Sequence, residues 1–228
     1  MTLAPEVALD DMRRQIGKPI RNEDLLEGCK TAFERGFHRV KLYFMCGLPG
    51  EREADLRGMI ELAEDIARLG KQVRGRSVKV VVNVSNFVPK PQTPYQWSGM
   101  QTRDYFRYAR DCLYRHKRLK AVEIKCHDVE ASLLEGVMAR GDRRVGRAVE
   151  TAWRRGARFD GWNDHLEPQL WWEVLAECGI DVGHLVHDSV SPETPLPWDR
   201  IAIRQGRPYL ERERDRSLTQ LASMQPSA

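Results

Sequence analysis

The residues best suited to chemistry in this sequence lie in two short stretches. In Gly47-Leu48-Pro49-Gly50-Glu51, two glycines would let backbone approach a ligand closely, and a glutamate can accept hydrogen bonds from an amine or hydroxyl. The stretch separates an apolar run, Val40–Met45, from an amphipathic one beginning at Glu53, so it reads as a strand-to-helix turn with free N–H groups at the helix start. A turn of Gly and Pro serving geometry alone is the other reading. In Asn83-Val84-Ser85-Asn86-Phe87-Val88-Pro89, strand alternation puts the polar Asn83 and Ser85 on one face. The five cysteines, Cys29, Cys46, Cys112, Cys126 and Cys178, are scattered and never as close as C-x-x-C, which suits a reducing compartment and offers no local metal site. Cys46 reads as a small hydrophobe on a buried strand. His127-Asp128 and His165 beside Asp164 and Glu167 lack ligand spacing and receive no role.

Alternating elements must position these stretches. Asn22 can cap a helix to Gly36 carrying Leu25, Leu26, Cys29, Ala32 and Phe33 on one face. His38–Met45 has few polar breaks and predicts a strand covered on both faces. Glu53–Leu69 predicts a helix stopped by Gly70. Val78–Val88 predicts a strand that Pro89, Pro91 and Pro94 end. A helix over Gln101–Leu119 and a strand over Ala121–Cys126 follow. This alternation predicts an α/β architecture with parallel strands, whose ligands bind at the strand carboxyl ends. Beyond His127, helical patterns take over at Val129–Ala139, Arg143–Arg155 and Pro168–Cys178, and the final stretch from Ser189 to Ala228 mixes prolines with a charged segment, Glu211–Arg216, so its end is expected to be loose. Two domains are expected, residues 1–126 and a helical extension, residues 127–228.

Bulk properties bound the partners. The 228 residues are 41% hydrophobic and 31% charged, enough to bury a core, and the net charge of +4 permits phosphate-rich partners without requiring them. No window approaches the roughly 20 apolar residues of a membrane helix, and Met1–Asp10 does not resemble a signal peptide, so no membrane partner and a cytoplasmic address are expected.

Val40-Lys41-Leu42-Tyr43-Phe44-Met45-Cys46-Gly47-Leu48-Pro49-Gly50-Glu51 resembles the fifth-strand motif of radical S-adenosylmethionine (SAM) proteins, where a strand enters a G-F/L-P-G-E turn. Asn83 to Pro94 resembles the sixth barrel strand and the proline-rich turn after it, and Leu3-Ala4-Pro5-Glu6 resembles the fourth, though Val7, Ala8 and Leu9 replace the family's glycine-serine turn. Glu135–Arg144 and Gly156–Trp162 resemble a group of such proteins that carry an amino-terminal cobalamin-binding domain. The resemblance implies the carboxyl-terminal half of a partial (β/α) radical SAM barrel followed by a mainly helical extension. It implies that Met45 packs on adenine, Gly47, Pro49, Gly50 and Glu51 shape the S-adenosylmethionine site, and Asn83 and Ser85 bond the ribose. By the same resemblance, backbone near Val88 reads the adenine edge, and Glu6 meets the methionine amine or ribose.

The family's C-x-x-x-C-x-x-C loop, which holds its 4Fe-4S cluster, is not in this sequence. The resemblance therefore implies a fragment starting mid-barrel, unable alone to cleave S-adenosylmethionine. A separate chain would supply the amino-terminal half-barrel, and a missing domain would bring any cobalamin; alternatively the fragment is an inactive remnant of a split gene. A different reading is a non-catalytic basic RNA-binding or interaction module. Arg140, Arg143, Arg144, Arg147, Arg154, Arg155 and Arg158 surround Trp153 against only Asp142 and Glu150. A solvated helix whose arginines form salt bridges is the plainer account, so nucleic acid is not the favoured partner.

Overall fold

A computed structural model describes residues 1–224 of the chain. The chain divides into two compact units, the first containing residues 1–86, 104–127 and those from Arg216 on, the second Phe87–Arg103 and Asp128–Asp215.

The first unit is built on strands β1 (Thr2–Glu6), β2 (Arg39–Cys46), β3 (Lys79–Asn86) and β4 (Val122–Cys126), all parallel and hydrogen-bonded in the order of the sequence. Helices α1 (Asp10–Gln15) and α2 (Asn22–Glu34) join β1 to β2; α3 (Glu53–Arg74) joins β2 to β3; α4 (Arg103–His116) precedes β4. Parallel neighbours require such crossovers, and right-handed crossovers between strands added in one direction place their helices on one side of the sheet. Burial follows this rule. In β2, Val40, Leu42, Phe44 and Cys46 are buried, whereas Arg39 and Tyr43 are exposed and Lys41 and Met45 partly so. The expectation of a strand covered on both faces is thus corrected: the long apolar side chains Tyr43 and Met45 stand on the more open face. On that same face Asn83 and Ser85 of β3 are half-buried, although Val81 is closed off. α3 turns Leu56, Met59, Ile60, Ala63 and Ile66 into the core and packs on α2, β2, β3 and β4.

Helix ends differ from the sequence expectations for local reasons. α2 is capped by Arg21 rather than Asn22: Asp24 accepts from the Arg21 backbone N–H in a capping box, and the Asn22 Oδ1 instead accepts from Arg13 at 2.7 Å. Arg13 is fully buried, and its guanidinium also donates to the carbonyls of Val7 and Ile20, both at 3.0 Å. α3 runs through Gly70 to a left-handed cap at Gly75, φ 67°. Gly70 serves packing instead of termination, because a Cβ there would lie 2.2 Å from Val78 and 3.1 Å from Phe33.

The second unit is helical: α5 (Val129–Arg140), α6 (Arg143–Arg154), α7 (Pro168–Glu177) and α8 (Val182–His187). Asp128, Asp142 and Asp181 cap α5, α6 and α8 by accepting backbone N–H bonds. α5 packs on α7 and α8, and α6 on α7. Arg207–Met224 form helix α9; the end of the chain that the sequence suggests is loose, residues 225–228, lies outside the described residues. Among the described residues no helix is long and apolar enough to cross a membrane.

Two glycine substitutions separate packing from helix propensity. Gly70→Ala is expected to destabilise by about 1–3 kcal/mol through overpacking. Gly28→Ala, on α2 with nothing within 4 Å of the new Cβ, is expected to stabilise by about 0.5–1 kcal/mol. Urea denaturation of the two variants checks the opposite signs.

Candidate functional site

The turn at the carboxyl end of β2 is held by one carboxylate. Gly47 and Gly50 adopt φ of 88° and 78°, conformations in which a side chain is strained, and the Gly47 N–H turns back to donate to Glu51 Oε2 at 2.7 Å. The Tyr105 hydroxyl, from the first turn of α4, donates to the same oxygen. One carboxylate therefore ties a strand end, a helix start and a neighbouring helix together. The second oxygen, Glu51 Oε1, is buried and has no hydrogen-bond partner among the described residues. Burial is the main cause that pushes the Glu51 carboxyl up to about 7, against the bonds from Tyr105 and Gly47 that favour its charged form. Reciprocally, burial and the nearby carboxylate raise Tyr105.

Further contacts fix the rest of the turn. Gln15 donates from its side-chain nitrogen to the Pro49 carbonyl at 3.0 Å. Arg52 pairs with Asp11 at 2.8 Å and Asp55 at 2.9 Å while capping α3. A Cβ at Gly50 would meet Leu221 of α9 at 2.1 Å, so glycine is needed there for close approach as well as for its φ.

Sequence-predicted residues on the strands fall into two groups. Met45 is paired in register with Ser85, and Tyr43 with Asn83, so Met45, Asn83 and Ser85 share the more open face of the sheet near its carboxyl end. Asn83 donates to the Leu42 carbonyl at 3.3 Å, and Ser85 Oγ lies 3.5 Å from His127 Nε2. Lys125, paired with Asn83 in register, extends the same face.

Glu6 stands apart. Its register partner is Phe44, on the buried side of β2, and its carboxylate pairs with Lys18 at 3.0 Å. Lys18 also donates to the Ala4 carbonyl. Glu6 has φ 66° at an irregular register step of β1, a conformation that costs a non-glycine residue about 1–3 kcal/mol. Val88 is buried and belongs to the second unit.

Tyr105 is a neighbour that sequence reasoning missed, and His127 is one that it considered but gave no role. Tyr105 lies far along the chain from Glu51, and no local pattern marks one helix tyrosine as the donor to a distant carboxylate. His127 could have been given weight from its place directly after a strand, at the carboxyl edge of the sheet.

The cofactors named by the resemblance meet different donor sets. For an iron–sulfur cluster the residues do not fit: Cys29, Cys46 and Cys112 are buried and Cys126 and Cys178 half-buried, and among the described residues no group of three His, Cys, Asp or Glu could hold a metal. Burial pushes the Cys29 thiol up to about 11 and raises Cys46, Cys112 and Cys126. For S-adenosylmethionine the residues fit in part. A flexible apolar thioether at Met45, polar groups at Asn83 and Ser85, and a glycine turn lie toward the carboxyl ends of two neighbouring strands.

The raised carboxyl sets a pH dependence. Glu51 binds its proton more tightly when folded, so its stabilisation is full below its ordinary value of 4.5 and is lost as pH rises through about 7. Glu51→Gln keeps both acceptor bonds and removes the titration. It is expected to flatten the stability profile across that window and to match or exceed the parent above pH 7, by about 1–3 kcal/mol. Thermal denaturation at several pH values measures this. Tyr105→Phe, which deletes a bond to the charged form, is expected to move the wild-type transition to higher pH.

No protein-family model matches the chain, and no solved structure matches it. An uncharacterized protein of Methanocaldococcus jannaschii is 26% identical over 152 residues, 66% of this chain. The aligned part covers 32% of that relative, so the chain spans about a third of its length.

Proposed function

We propose that these residues form the carboxyl-terminal half of a partial (β/α) barrel of the radical SAM kind and contribute one wall of an S-adenosylmethionine site. The observation that carries the reading is the sheet. Its strands are parallel and consecutive in space, β1-β2-β3-β4, as in a barrel wound in one direction; a doubly wound sheet reverses its strand order at a switch point. Met45, Asn83 and Ser85 occupy the more open face, which would line a barrel interior, next to the Gly47–Glu51 turn.

In this reading Met45 packs on the adenine, and the polar side chains of Asn83 and Ser85 bond the ribose. Gly47 permits close approach of the backbone. Glu51 acts as the brace that holds this turn in place, accepting from the Gly47 N–H and the Tyr105 hydroxyl. When bound under reduction by an iron–sulfur cluster, S-adenosylmethionine supplies radical chemistry. Any cluster would be held by residues outside these 228, on a segment or separate chain that completes the barrel, and cobalamin, if used, would be held there too.

The RNA-binding reading draws less support. Most of the arginines that suggested it are committed: Arg140 donates to the carbonyls of Leu185 and Asp188, Arg144 pairs with Asp142, Arg154 with Glu150 and Arg155 with Glu177.

Titrating S-adenosylhomocysteine, the stable product-like analogue, into isotopically labelled chain tests the wall directly. Saturable shifts of the Gly47, Gly50 and Ser85 amides and the Asn83 side-chain amide are expected, and Met45→Asp is expected to weaken them at least tenfold. Unmoved resonances at these positions up to millimolar ligand would sink the proposal.

A further inference from the structure

The second unit carries a cleft of about 1010 Å³ between the end of α5, the start of α6 and the segment Pro195–Ile201. We propose that it is a binding site for a small organic anion, a flat apolar body bearing a phosphate or carboxylate group. The proposal does not rest on the S-adenosylmethionine reading, because every residue lining this cleft belongs to the second unit.

Size, charge and surface lead to that class. The cleft is at the upper end of the roughly 300–1,000 Å³ typical of small-molecule sites and far too large for a bare inorganic ion. Arg143 and Arg200 line it, both exposed and neither in an ion pair among the described residues. Arg144 is already engaged, pairing with Asp142 at 3.0 Å and donating to the Gly179 carbonyl at 2.9 Å. Asp142 spends its charge on Arg144 and on the first turn of α6. Two unneutralised guanidiniums therefore remain, whose planar donors suit phosphate or carboxylate oxygens.

The remainder of the lining is apolar. Met138 is 40% and Ile201 68% exposed, large values for such side chains, and Pro91, Pro195 and Pro197 add rigid apolar wall. The aromatic wall is fixed in advance. Trp198 donates its indole N–H at 2.7 Å to Gln96, which is 4% exposed, and Gln92 donates to the carbonyls of Ile201 at 2.5 Å and Trp198 at 3.4 Å. Gln92 holds φ 59° to do so. A wall ordered before binding loses little entropy when a ligand arrives, and an indole is a suitable surface for a flat ring.

Four probes separate the requirements: adenosine monophosphate (phosphate on a flat body), indole-3-acetate (carboxylate on a flat body), adenosine (body without charge) and inorganic phosphate (charge without body). Binding is followed on the whole chain by ligand-observed NMR and calorimetry. At least one of the two aromatic anions is expected to bind at least tenfold more tightly than both adenosine and phosphate, more weakly as salt rises. Which of the two binds identifies the anionic group. Arg143→Gln with Arg200→Gln is expected to weaken that binding at least tenfold while leaving the thermal transition in place, and Trp198→Leu to weaken it independently. Failure of both aromatic anions to bind, or binding that the paired arginine variant leaves unchanged, overturns the proposal.

Discussion

A parallel strand cannot be reached by a hairpin. The chain must return to the starting end of the sheet before it can add the next strand, and here each return is made through helix. Because the added strands follow one another in a single direction, the right-handed rule sends the returns to one side. The asymmetry of the sheet follows from this. Val40, Leu42, Phe44 and Cys46 are driven into a helix-covered core, while Tyr43, Met45, Asn83 and Ser85 remain accessible on the other face. The same winding directs each strand end into a turn at one edge of the sheet, so that the Gly47–Glu51 turn and the end of β3 meet there. Chemistry at that edge is a consequence of connectivity before it is a matter of residue type.

Most of this layout was legible in the sequence. Periodicity gave strands β2 to β4 and the helices α2 to α7, because apolar spacing reports directly on which side of an element faces the core, whereas β1 was marked only by its likeness to a family motif. Two kinds of feature were not legible. One is the purpose of a glycine: Gly70 and Gly75 both look like helix stops, and only the proximity of Val78 and Phe33 distinguishes a packing glycine from a capping one. The other is coverage. An apolar run such as Leu42–Met45 suggests burial on both faces, but Tyr43 and Met45 are long side chains that tolerate a partly wet surface, and the run carries no sign of which face lacks a helix.

The candidate site was legible in its parts and not in its wiring. The glycines and Glu51 stood out by type and spacing, yet the pairing of Glu51 with Tyr105 links distant segments and depends on how α4 is laid beside the turn. Glu6 illustrates the reverse. It was selected by likeness to a motif, and its backbone is strained as functional residues often are, but its carboxylate is occupied by Lys18. Arginine behaves similarly in the second unit, where a sequence cluster that looks uniformly basic resolves into paired, buried and unneutralised members with quite different capacities to meet a ligand.

The burial of the thiols has a consequence for the chain's behaviour toward oxidants. Disulfide exchange and peroxide oxidation both proceed through thiolate, and burial favours the protonated state of the sulfurs of Cys29, Cys46 and Cys112. These positions react slowly unless the fold opens. Their reaction rate with a thiol reagent thus becomes a clock for local unfolding, with Cys46 timing the opening of β2 and Cys112 that of α4.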